Sequence, residues 1–149
     1  KRKAMGYNVI YGNVETMSLG RQFDVIVASD LIEHLANPGM FLERVREHLR
    51  DGGLLCIVTP NAHSLNTCGK AFLGAKTNVN PEHTCWYDPV TLTQLLERHS
   101  FHVEEMFFSN KSKWYLGKNF YKMKYRIPRL IVGLRPYFSG AIIAVARSG

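Results

Sequence analysis

The sequence predicts a three-layered α/β fold built on a largely parallel sheet. Three observations carry that expectation. Residues 23–28 (FDVIVA) and 54–58 (LLCIV) are short, apolar, β-branched runs with too little polarity for a half-exposed edge. A helical pattern separates them, so strand, helix and strand follow at the spacing of a βαβ unit with a right-handed crossover. Turn and cap residues punctuate every junction.

Taken in order, residues 7–11 (YNVIY) are a first strand candidate, ended by Gly12-Asn13. Residues 23–28 follow as the second. Asn37-Pro38 then predicts a helix start, because Asn accepts from free backbone N–H groups and Pro suits the first helical position. Phe41, Leu42, Val45 and Leu49 recur at helical spacing, and Asp51-Gly52-Gly53 predicts the stop. Residues 54–58 form the next buried strand, closed by Thr59-Pro60-Asn61. Residues 62–82 read as a long irregular loop or short helices, a length that in compact domains usually serves function. Asp88-Pro89 caps another helix with Leu92, Leu95, Leu96 and His99 on one face. Residues 101–108 (FHVEEMFF) and 141–146 (AIIAVA) are later strands.

The length of 149 residues suits one domain with a real core. Hydrophobic residues at 46% and charged residues at 21% are ordinary for a globular chain. No apolar stretch reaches the ~20 residues that a spanning helix needs, and KRKAMGYN lacks the apolar core of a signal peptide. Cys56, Cys68 and Cys85 are odd in number and lack C-x-x-C spacing, which suggests reduced thiols in a cytoplasmic protein, Cys56 in its core.

The net charge of +7 is uneven. Residues 1–105 hold 10 Lys/Arg against 12 Asp/Glu, whereas residues 106–149 hold 9 Lys/Arg and no acid. Within that end, residues 111–129 (KSKWYLGKNFYKMKYRIPR) interleave seven basic residues with Trp114, Tyr115, Phe120, Tyr121 and Tyr125. Such a stretch suits RNA, through phosphate contacts and base stacking, or an anionic membrane surface. A pocket lid or a plain solvated face is the simpler reading.

Asn13, Asp30, Glu33, His34 and Asn61 all fall just after strand candidates. In open parallel sheets that edge is where ligands bind. Burying a strand while wetting its end is how such a sheet builds a site.

The run FDVIVASDLIEHLANPGMFLERVREHLRDGGLLCIVTPN resembles the central part of class I S-adenosylmethionine-dependent methyltransferases. Its order of strand, D/E-x-x-E-H, helix, glycine pair, strand and T-P-N is similar to the group of ubiquinone-biosynthesis O-methyltransferases. EHTCWYDPVTLTQLLERHSFHVEEMFF continues the likeness. The resemblance implies a Rossmann-like sandwich with an antiparallel C-terminal strand, one methyltransferase domain over 1–149, and a basic aromatic insertion at 109–140. It also implies methyl transfer from S-adenosylmethionine to an oxygen or nitrogen of a small acceptor. Such enzymes begin with a strand, a G-x-G-x-G turn and a second strand ending in an acid; neither is present here. The expectation is therefore a fold lacking its N-terminal part, a weak cofactor binder and inactive alone. Ser100 stands where Gly is usual before Phe101.

By the same resemblance, Asn13 and Val14 would lie against the adenine, and Ser29 and Asp30 would flank the sulfonium end. Gly12-Asn13 as a mere turn is the rival reading. If residues 30–34 form a helical turn, Asp30, Glu33 and His34 at i, i+3 and i+4 share a face. Joined by His83, they would form a mixed O/N site for a divalent metal. That set resembles both the ubiquinone-pathway group and the small-RNA 3′-end 2′-O-methyltransferases, which makes RNA 2′-O-methylation the enzyme alternative. Without a metal, His34 or His83 would serve as general base. A non-catalytic binding module is the alternative outside enzymes. His63, His99 and His102 read as surface or packing residues, and Trp86 and Tyr87 either wall a pocket or pack in the core.

Overall fold

The computed structural model describes residues 8–76, 80–109 and 135–149. Strands β1 (Phe23–Ser29), β2 (Leu49–Pro60), β3 (Phe101–Ser109) and β4 (Ala141–Ser148) form one sheet in the order β1-β2-β4-β3. β1 runs parallel to β2, and β4 is antiparallel to both β2 and β3. Three strands thus share a direction and the C-terminal one opposes them. Helices α1 (Pro38–His48), α2 (Leu65–Phe72) and α3 (Pro89–Arg98) complete the regular elements, with short 3₁₀ turns at Ile32–His34 and Pro136–Phe138.

One face of the sheet holds the core. Register places Leu55, Ile57 and Thr59 of β2 beside Ala146, Ala144 and Ile142 of β4, and all six are fully buried. Phe41, Leu42 and Val45 of α1 and Leu92 and Leu96 of α3 join the same cluster. Each large aliphatic side chain enclosed this way contributes about 1.5–3 kcal/mol. On the other face Val25, Val27 and Phe107 stay exposed, and Cys56, expected as core, is only half-buried.

Local chemistry explains the helix boundaries. The Asn37 side chain accepts from the Met40 N–H at 3.1 Å, and Pro38 occupies the first helical position. At α3 the Asp88 carboxylate accepts from the backbone of Val90 and Thr91 while the Thr91 hydroxyl accepts from the Asp88 N–H, a complete capping box. Burial pushes the Asp88 carboxyl up, but those bonds, the Thr91 hydroxyl and nearby His63 outweigh it and hold it below its ordinary range.

Three expectations need correction. Residues 8–11 form no strand, and Ile10 and Tyr11 are exposed; Tyr7 lies outside the described residues. A strand exists only through a neighbour's ladder, and no described segment pairs here. The first helix ends at His48, before Asp51-Gly52-Gly53, which lies within β2. Leu49 is buried as expected but has turned extended and pairs with Phe23. Its side chain still reaches the core, so the apolar period reads straight through the boundary.

Residues 13–19 are fastened to α1 at both ends. The Asn37 N–H donates to Glu15 Oε1 at 2.6 Å, and the Leu19 N–H donates to His48 Nε2 at 2.7 Å. His48 Nδ1 lies 2.6 Å from the Arg44 carbonyl oxygen, so the buried ring serves two partners as a neutral imidazole, Nδ1 donating and Nε2 accepting.

The long stretch after β2 contains α2, capped by Ser64, and residues 77–79 lie outside the described set. So do residues 110–134, which carry most of the expected basic aromatic insertion. Among the described residues, no helix is long and apolar enough to cross a membrane.

Candidate active site

One edge of the sheet collects the ends of β1 and β2 and the start of β4. The Asp30 N–H donates to the Val58 carbonyl at 2.8 Å, and the Asn61 N–H to the Gly140 carbonyl at 3.1 Å. Asn61 is itself buried, its amide donating to the Tyr137 and Ser139 carbonyls at 2.7 and 2.9 Å. This knot fixes the turn after β2 against the segment entering β4.

Glu33 lies in the 3₁₀ turn after β1 and is only 2% exposed. Thr59 donates its hydroxyl to Glu33 Oε2 at 2.9 Å, while Glu33 Oε1 is buried without a partner among the described residues. A buried carboxyl oxygen left this way calls for a partner such as a water, an ion or a ligand atom. Next to it, the His34 and His83 rings meet edge to face with centroids 4.6 Å apart. One ligand atom from each of Glu33, His34 and His83 lies within 4.8 Å of the others.

The His34 tautomer follows from its neighbour. Nδ1 sits 3.2 Å from the Glu82 carbonyl oxygen, which can only accept, so Nδ1 carries a proton and, in the neutral ring, the lone pair lies on Nε2.

A backbone strap brings His83 there. The Thr84 and Cys85 N–H groups both donate to the Glu33 carbonyl, at 2.8 and 3.2 Å, and the Thr84 hydroxyl donates to the Leu35 carbonyl at 2.6 Å. Residues far apart in sequence are thus clipped to the 3₁₀ turn.

Asp30, expected as a fourth member of the cluster, is not among those three. It is exposed, with φ at 49°, and the turn begins only at Ile32. Helical i, i+3 spacing counted from residue 30 therefore does not apply. The Ser29 hydroxyl lies 3.4 Å from Asp30 Oδ2. Asn13 closes its own turn, its side-chain oxygen accepting from Glu15 N at 2.9 Å and its carbonyl from Thr16 N and Met17 N. Val14 packs against the core.

A cleft of about 120 Å³ opens beside the cluster, lined by Glu33 and His83, with Asn61, Lys70 and Trp86 around it. Trp86 and Tyr87, read together from the sequence, separate: Trp86 is 43% exposed on the cleft, while Tyr87 is buried. Burial first, then hydrogen bonding and charge interaction with Cys85, and finally the Glu33 charge, push the Tyr87 phenol well above its ordinary range. His63 packs its ring on Tyr137, with centroids 5.5 Å apart.

Thr59, Thr84 and Lys70 were not legible as site residues. Thr59 had a usable signal: alternation along β2 puts it on the face of Leu55 and Ile57, and a hydroxyl there needs a buried partner. Thr84 and Lys70 carried none.

A mixed sheet with helices on its core face is a Rossmann-like arrangement, and the acid–imidazole cluster lies on the rim where such sheets ordinarily bind ligands. A family model described as a methyltransferase domain matches residues 5–106, more than half of the chain, and the chain belongs to that family. It is 32% identical over 99 residues to a probable S-adenosylmethionine-dependent methyltransferase of Mycolicibacterium smegmatis, covering 66% of this chain and 36% of the relative. It is 33% identical over 81 residues to a ubiquinone biosynthesis O-methyltransferase of Chelativorans sp., covering 53% of this chain and 32% of the relative. The fold matches a Thermotoga maritima S-adenosylmethionine-dependent methyltransferase, described as a possible histamine N-methyltransferase, with a TM-score of 0.66 at 16% identity. That match covers 99% of this chain and 66% of the other. The chain thus spans about a third of the length of the two curated relatives.

Proposed function

We propose that the protein transfers a methyl group from S-adenosylmethionine to a small-molecule acceptor, and that the receiving atom is oxygen. The observation that carries this reading is buried Glu33, one oxygen unpartnered, beside two imidazoles on the ligand edge of the sheet. The relative named as a ubiquinone biosynthesis O-methyltransferase supports oxygen over nitrogen.

S-adenosylmethionine supplies an already activated methyl group, so the protein's task is alignment and proton handling. Asn13 and Val14 would hold the adenine end, and Ser29 and Asp30 the end nearer sulfur. His34, its Nδ1–H engaged by the Glu82 carbonyl, offers Nε2 to take the acceptor's proton. His83 is the second base within reach, held in place by the Thr84 strap.

Glu33, His34 and His83 also fit a divalent cation: two imidazoles and a carboxyl oxygen with no other partner are a common donor set. Such an ion would lower the pKa of the acceptor hydroxyl.

Residues 111–129 favour the second reading, RNA 2′-O-methylation, through their basic and aromatic content. Binding of RNA that weakens steeply with salt would support it, and salt-independent binding would oppose it.

The test uses the full-length protein with hydroxylated acceptors. His83→Ala and Glu33→Gln are expected to lower turnover about 100-fold or more while leaving S-adenosylhomocysteine affinity within about twofold. Turnover at the wild-type level in both variants would refute the assignment. Failure of the unaltered protein to bind S-adenosylhomocysteine would favour a non-catalytic module.

A further inference from the structure

His48 ties the last turn of α1 to residues 13–19. Its ring is 6% exposed and both nitrogens are engaged, Nδ1 with the Arg44 carbonyl oxygen and Nε2 with the Leu19 N–H. The first bond stays within α1; the second leaves the helix and fastens the far end of that segment.

A proton on Nε2 breaks the second bond and spares the first. An imidazolium has two donors and no acceptor, so two N–H groups would meet across 2.7 Å and must part. Nδ1 donates in either charge state. The C-terminal end of a helix favours a cation, so the charged ring keeps the Arg44 carbonyl and drops Leu19. Charged groups on the neighbouring elements are engaged elsewhere. Arg44 pairs with Glu47 on α1, and Arg50 of β2 pairs with Asp24 of β1. Glu15 accepts from the Asn37 N–H, and Arg21 lies over the Phe23 ring. None of these side chains is bonded to the His48 ring.

We propose that His48 is a proton-sensitive latch on the cofactor side of the site. Neutral, it holds residues 13–19 in place for the adenine; protonated, it releases them at Leu19, and cofactor affinity falls. This inference rests on the methyl-transfer reading, which puts Asn13 and Val14 against the adenine, and adds a regulation to it. With only the Glu15 tie left, binding must order the segment, which costs affinity. The latch needs the neutral ring, so it is whole at high pH and lost as pH falls.

The test measures S-adenosylhomocysteine affinity by calorimetry in full-length protein at about pH 8 and about pH 5.5, a span over which imidazoles ordinarily change charge. His48→Gln is the control, because an amide offers a donor and an acceptor but takes no proton. The other histidines, His34 and His83 among them, are present in both proteins, so the difference between the two belongs to position 48. On acidification the wild type is expected to lose about fivefold more affinity than His48→Gln, the low end of couplings between sites. The Leu19 amide gives a readout without cofactor. Its hydrogen exchange, corrected for the intrinsic effect of pH, should quicken at the lower pH in the wild type and not in His48→Gln. Equal pH dependence of affinity in the two proteins overturns the proposal. So does undiminished protection of Leu19 at the lower pH in the wild type, a result that decides even where His48→Gln does not fold. Absence of S-adenosylhomocysteine binding by the wild type at the higher pH overturns the methyl-transfer reading, and the coupling falls with it.

Discussion

The Thr59 hydroxyl donates to Glu33 Oε2 at 2.9 Å, joining the end of β2 to the turn after β1 with both side chains out of solvent. Glu33 lines the cleft, and its second carboxyl oxygen, Oε1, is buried without a partner among the described residues. Thr59→Val keeps the shape and removes the donor, leaving a buried carboxyl without that partner. The expected cost is about 1–3 kcal/mol, read as a lower urea midpoint at pH 7. Adding Glu33→Met should recover part of the loss, because an apolar pair needs no partner. No loss in the single variant would show that the bond contributes nothing.

Asp88→Ala removes the α3 cap and is expected to cost about 1 kcal/mol. The sign with pH follows from the lowered Asp88 carboxyl. A depressed folded pKa gives stability that is present above the unfolded value, near 4, and lost as pH falls through the folded one. The advantage of the wild type over Asp88→Asn should therefore be visible at pH 6 and fade below about pH 4. An advantage that grows on acidification would contradict the capping geometry.

Ser100 follows α3 with φ at 61°, a conformation that favours Gly. Ser100→Gly is expected to stabilise by about 0.5–1 kcal/mol, raising Tm by roughly 1–4 °C in a domain of this size. Thermal unfolding followed by circular dichroism checks it, and an unchanged or lower Tm would mean that the strain is relieved elsewhere.

His48→Phe fills the same space but leaves the Leu19 N–H without its acceptor. It is expected to cost about 1–3 kcal/mol and to speed hydrogen exchange at the Leu19 amide selectively. Exchange unchanged at Leu19 would show that the 13–19 segment does not depend on this tie.

What the sequence made legible were elements with a local cause. Asn37-Pro38 and Asp88-Pro89 announced helix starts because a cap acts within four residues. FDVIVA and LLCIV announced strands through their β-branched composition, but FDVIVA was read as too apolar for a half-exposed edge and β1 is an edge strand of the described sheet with Val25 and Val27 exposed. Glu33, His34 and His83 were read as one group, and the structure brings them together. Contacts that depend on long-range backbone bonds were not legible. The Thr84 strap reaches back to Glu33 and Leu35 through main-chain carbonyls, which leave no trace in side-chain pattern. Asp30 was misplaced because helical spacing was counted from a residue that precedes the turn. Residues 8–11 have strand composition but no described partner, and composition alone does not supply a ladder.

The most direct test is a crystal structure of the full-length protein with S-adenosylhomocysteine. The account predicts the adenine beside Asn13 and Val14, and the sulfur beyond the end of β1 with its open side towards the cleft of Glu33 and His83. A cofactor bound at the opposite edge of the sheet, or with its sulfur turned away from that cleft, would contradict it.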